Sequence, residues 1–122
     1  MTTIKENLSI GIAGPCSSGK STLVAGLKKH HIHARSIAQE HSYVKDMWRR
    51  ITNPDLLIFL QVSYPIAQLR RKLNWNISEY EQQRHRLRNA RKNADFLLNT
   101  DLLTPEEVLE ETMLFIKEAS NA

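Results

Sequence analysis

The chain has 122 residues, of which 41% are hydrophobic and 25% charged, and its formal net charge is +4. That is enough chain for one buried core and too little for two, so residues 1–122 read as a single domain. The longest apolar run, "LLIFL", is far too short to span a bilayer, no signal peptide opens the chain, and the single cysteine, Cys16, excludes an internal disulfide, all of which fits a soluble protein of the reducing cytoplasm.

In chain order, "LSIGIA" predicts a strand over Leu8 to Ala13, and a helix follows from Lys20 to Lys29 with Leu23 and Leu27 on one face. "IHARSIAQ", residues 32–39, alternates enough for a second strand. "YVKDMWRRI" reads as helical until "TNPD" breaks it. "LLIFLQV", residues 56–62, is a continuous apolar run of the kind buried on both faces of a parallel sheet. Next comes "YPIAQLRRKL", a helix with Pro65 in its first turn and Ile66, Leu69 and Leu73 at helical spacing. "SEYE", residues 78–81, reads as a capping box opening a polar helix to Ala94. "DFLLNT" predicts a last strand, and "TPEE" caps a final helix with Leu109, Met113 and Ile116 inward. Strand and helix alternate throughout, so the expected fold is α/β: a three-layer parallel sheet of about four strands flanked by helices.

Between the first strand and helix lies "GPCSSGKST", which satisfies G-x-x-x-x-G-K-[ST] at Gly14, Gly19, Lys20 and Ser21. A loop opening onto a helix N-terminus turns unpaired backbone N–H groups toward an anion. Glycines let that backbone curl close to a phosphate. Lys20 adds charge for the β- and γ-phosphates, and the Ser21 hydroxyl can ligate Mg²⁺. With a strand before it and a helix after it, the segment Gly14, Pro15, Cys16, Ser17, Ser18, Gly19, Lys20, Ser21 and Thr22 reads as a phosphate-binding loop. The positive charge of the chain suits such a polyanionic ligand.

Arg84, Arg88 and Arg91 fall at i, i+4 and i+7 and share one helix face, while Arg86 points away. Three guanidinium groups on a stripe suit a phosphate cluster. Arg70 and Arg71 read as ordinary solvated charge. An acid is also needed, to hold Mg²⁺ or to take a proton from an acceptor hydroxyl. The strongest strand ends in Gln61, which leaves Glu40, after the second strand, as the candidate and Asp101 as a weaker one. His30, His31 and His33 complement the C-terminal end of a helix and lack further ligands at metal spacing. His41, Tyr43 and Trp48 could line an acceptor pocket, or Trp48 could be core.

These residues resemble the P-loop nucleoside triphosphate hydrolase superfamily, and within it the small kinases of the adenylate, shikimate and dephospho-CoA kinase type. The likeness is carried by "GPCSSGKST", "LLIFLQVSYPIAQLRRK", "RHRLRNARKNAD" and "LLNTDLLTPEEV", and is sharp only at the first. It implies that Arg84, Arg88 and Arg91 belong to a lid over the phosphates and that Thr100, Asp101 and Leu102 lie beside the purine. The chain departs from that pattern in its length and in Gln61. The expected function is an ATP-binding small-molecule kinase that passes the γ-phosphate of Mg-ATP to an unidentified acceptor. The rival is a nucleotide-binding module or sensor without phosphotransfer. No N-K-x-D or D-x-x-G motif supports a GTP-dependent switch, and the basic stripe lacks the interleaved aromatics of a nucleic-acid surface. A domain this small could also gain by pairing with a second copy.

Overall fold

The computed structural model describes residues 8–71 and 76–121. Four strands, β1 (Ile10–Ala13), β2 (Ala34–Ser36), β3 (Leu56–Gln61) and β4 (Phe96–Asn99), form one sheet in the order β2–β1–β3–β4, and every neighbouring pair is parallel. Helices α1 (Lys20–Lys29), α2 (Tyr64–Arg71), α3 (Ile77–Asn93) and α4 (Pro105–Ser120) connect or follow them. The expected α/β class and its four-stranded parallel sheet flanked by helices are therefore present.

Strand β3 shows why the sheet is covered on both sides. Ile58 and Leu60 point into a core with Leu23 and Leu27 of α1 and with Val108 and Ile116 of α4. Leu57 and Phe59 point the other way, against Leu87 and Ala90 of α3 and against Trp48. An unbroken apolar run with period-two facing serves two cores at once. A third cluster, Val62, Ala67 and Tyr80, holds the start of α3 near the end of β3. Trp48 is core, donating its indole N–H to Asn89 Oδ1 at 2.9 Å.

Several local expectations are corrected. The second strand spans only residues 34–36, because the chain after it turns into a short 3₁₀ segment at Gln39–His41. The stretch from Tyr43 is no α-helix. It runs through turns into a single π-helical turn, Trp48–Thr52, closed by left-handed Asn53 before Pro54. Ser78 does not cap α3. Asn76 does, its side chain accepting from the Glu79 N–H at 2.9 Å. Leu69 is exposed on α2, and Ala67 takes the buried place, while Lys72 and Leu73 lie outside the described residues. At α4 the Thr104–Glu107 capping box forms as expected, and the inward face is Val108, Thr112 and Ile116 with Leu109 and Met113 partly covered.

The cap assignment gives a direct test by urea denaturation. Asn76→Ala and Thr104→Ala should each cost about 1 kcal/mol. Ser78→Ala should stay within about 0.5 kcal/mol of the parent.

Candidate functional site

Strand β1 leads through α1 to β2 on one side, and the chain then crosses to β3 on the other. The crevice beyond the carboxyl ends of β1 and β3 is where ligands of open parallel sheets bind. The loop from Gly14 opens there. Gly14 has φ 155°, and a Cβ at that position would come within 2.3 Å of the Leu60 carbonyl oxygen, so β1 and β3 approach too closely for any side chain. Gly19 adopts a left-handed φ of 102° at the N-cap of α1, and Ser17 is left-handed too.

Helix α1 differs from α3 and α4 at its N-terminus. No side chain caps it, and its first turn holds no acidic residue. Its backbone donors thus keep their partial positive charge toward the crevice. The Ser17 and Ser18 hydroxyl oxygens are buried with no hydrogen-bond partner among the described residues. In place of a cap, Lys20 folds back over the loop. Its Nζ donates to the carbonyl oxygens of Gly14 at 2.6 Å and Pro15 at 3.2 Å, and to Glu40 Oε2 at 2.5 Å. The pair is largely buried, with side-chain exposures of 10% for Lys20 and 5% for Glu40. The 3₁₀ turn delivers Glu40, and Gln39 anchors that turn by accepting from the Trp48 N–H and donating to the Val44 and Arg86 carbonyls. Glu40 Oε1 is buried without a partner.

Helix α3 forms the opposite wall. Its buried stripe is Tyr80, Gln83, Leu87 and Ala90. Gln83 accepts from the Cys16 N–H at 3.0 Å and donates to Cys16 Sγ at 3.2 Å. Arg84, Arg88 and Arg91 line one cleft of about 710 Å³ with Pro15, Gln61 and Tyr80. Within it Arg91 donates to Gln61 Oε1 at 3.4 Å, Arg84 lies 3.8 Å from Glu81, and Arg88 donates to the His85 carbonyl. Arg86 faces away from that cleft, as the helical spacing predicts. It donates to the Glu40 backbone carbonyl and lies 4.6 Å over the Tyr43 ring.

A second hollow, about 420 Å³, lies on the other side of the loop between Ser17, Gly19, Thr22, Arg70, Thr100 and Leu103. Thr100 is buried, its hydroxyl donating to the Ser18 carbonyl at 3.2 Å. Asp101 accepts from the Ser63 N–H at 2.8 Å, and Leu102 projects into solvent. Ser21 and Thr22 are exposed at the start of α1. Arg70 is the residue that sequence reasoning undervalued. It donates to the Ser17 carbonyl at 2.9 Å and to both oxygens of Thr100, tying the loop to the end of β4. The signal for Gln83 was available, since a polar residue sits on the one stripe of α3 that repeats at core spacing. Nothing in the sequence pattern marks Arg70. No family model matches the chain, and no curated protein does either.

Tyr80 donates its hydroxyl to the Val62 carbonyl at 2.7 Å. Burial pushes its phenol above the ordinary value of 10.0, with Glu81 and Asp101 adding to the rise and Arg84 opposing it. The unfolded chain therefore ionises this phenol first, so its contribution to stability is complete below pH 10.0 and is lost as pH climbs through the folded value. Denaturation from about pH 9 to about pH 11 should show a decline that Tyr80→Phe flattens, with the variant also losing about 1 kcal/mol at neutral pH.

Proposed function

We propose that the chain is a P-loop nucleotide-binding protein that binds Mg-ATP and acts as a small-molecule kinase. The observation that carries this reading is the uncapped N-terminus of α1 with Lys20 folded across its loop and paired to buried Glu40. A cation held by two loop carbonyls and one carboxylate can turn to a phosphate without travelling far, because it already lies over the anion-binding backbone.

The donors present fit such a ligand. The backbone N–H groups of Ser17, Gly19, Lys20, Ser21 and Thr22 would hold the phosphates, those of Cys16 and Ser18 being taken by Gln83 Oε1 and the Pro15 carbonyl. The Ser17 and Ser18 hydroxyls, which have no partner among the described residues, would supply further hydrogen bonds. Ser21 and Glu40 would hold Mg²⁺, which when bound neutralises phosphate charge. Arg84, Arg88 and Arg91 answer charge that develops on the transferred group, since catalysis of this kind is positioning plus electrostatic stabilisation. The hollow walled by Thr22, Arg70, Thr100 and Leu103 would take the base, with Asp101 and Leu102 beside it. The larger cleft beside Gln61 suits the acceptor. The rival, a nucleotide-binding module without transfer, draws on Gln61, which puts an amide at the end of β3 where an acid would serve the metal.

Calorimetric titration with Mg-ATP and Mg-GTP tests the reading. The intact chain should bind ATP with a dissociation constant of micromolar order, and folded Lys20→Ala should lose that binding. Binding of neither nucleotide would contradict it. Basal ATP hydrolysis separates the two functions. A kinase should show it and lose it in Glu40→Gln, whereas a binding module should show none.

A further inference from the structure

Cys16, Glu40 and His41 bring one ligand atom each to within 4.8 Å of one another, at the edge of the loop. Cys16 comes from the loop, while Glu40 and His41 come from the 3₁₀ turn. Cys16 Sγ lies 3.8 Å from His41 Nε2. A tetrahedral ion holding sulfur at about 2.3 Å and imidazole nitrogen at about 2.05 Å sets those donors about 3.6 Å apart. The separation therefore needs almost no adjustment to become a shared coordination edge. Glu40 supplies an independent sign of a ligand, because it is 4% exposed and its Oε1 has no partner among the described residues. A buried carboxylate oxygen without a donor is costly unless something positive meets it.

We propose that Cys16 Sγ, His41 Nε2 and the Glu40 carboxylate form a binding site for Zn²⁺ or a chemically similar transition-metal ion, a site that shares Glu40 with the proposed Mg²⁺ site and so competes with it for that carboxylate. The donor set decides the class of ion. Sulfur and imidazole beside one carboxylate select zinc or cobalt over Mg²⁺ and Ca²⁺, which take oxygen ligands. Thiolate and carboxylate bring two negative charges to a divalent ion, with the Lys20 ammonium still on the carboxylate, and the thiol proton leaves to solvent on binding. The Gln83 amide donates to Cys16 Sγ at 3.2 Å, which steadies the thiolate from outside the ligand set. His41 is exposed, which gives the ion a way in and leaves a fourth position for water. Lys20 stays on Oε2, so Oε1 is the oxygen left for the ion. Occupancy would tie the loop to the turn that carries Glu40.

The test is titration of the metal-free full chain with Co²⁺, whose absorption reports its ligands. One ion per chain should bind, with thiolate-to-cobalt charge-transfer absorption in the near ultraviolet, and Zn²⁺ should displace it. Cys16→Ser should abolish the charge-transfer band. His41→Gln, at an exposed position where the fold is not at stake, should weaken Co²⁺ binding at least about tenfold. A triple His30→Gln, His31→Gln, His33→Gln variant should bind as the parent does, which excludes the histidines after α1. No charge-transfer band in the parent, or one that His41→Gln leaves at full affinity, would overturn the proposal. The readout involves no nucleotide, so failure of the kinase reading and failure of this site are told apart.

Discussion

Everything around the loop answers to one interaction, the buried pair between Lys20 and Glu40. Taking an ammonium and a carboxylate out of water costs several kcal/mol each, and attraction offsets that only when the geometry is held and the remaining hydrogen bonds are made. Lys20 meets the condition with the Gly14 and Pro15 carbonyls. Glu40 meets it in part, through one oxygen, while its backbone carbonyl is held by Arg86. The parallel pairing of β1 with β2 places the segments that follow them side by side, which is how residues twenty positions apart come to share a proton donor and acceptor.

The surrounding packing keeps that pair in register. Leu60 closes over Gly14, so the loop leaves β1 in one direction. Gln39 fixes the turn that carries Glu40 by three hydrogen bonds to Val44, Trp48 and Arg86. On the far side, Thr100 and Arg70 hold the Ser17 and Ser18 carbonyls. The loop is thus braced by the turn after β2, by β3, by α2 and α3, and by the residue that follows β4, while the N-terminus of α1 stays without a side-chain cap. A rigid frame around an uncapped helix start would favour binding of an anion, because a loop that must order itself on binding loses affinity to entropy.

Residues whose place follows from local pattern were legible in the sequence. The run "LLIFLQ" had to be a doubly covered strand, Lys20–Lys29 had to carry Leu23 and Leu27 inward, and "TPEE" had to cap a helix. Glu40 was reachable because it follows a strand neighbouring the loop. The segment from Tyr43 was misread because its helical spacing is overridden by Gln39, whose side chain takes the Trp48 N–H that a helix would use. The α3 cap was misread because Asn76 and Ser78 are both good caps, and only the tertiary position of the helix selects between them. Arg70 was invisible for a different reason: its partners, Ser17 and Thr100, come from two distant segments.

The central claim is that this uncapped helix start, with its paired lysine, is an anion site, and amide resonances read it most directly. Mg-ATP added to ¹⁵N-labelled protein should move the signals of Gly14, Cys16, Ser17, Ser18, Gly19, Lys20, Ser21 and Thr22 together with that of Glu40. Those at the C-terminal end of α4 should stay where they are. Saturating nucleotide that leaves the loop signals unmoved, or moves only signals elsewhere, would contradict the account.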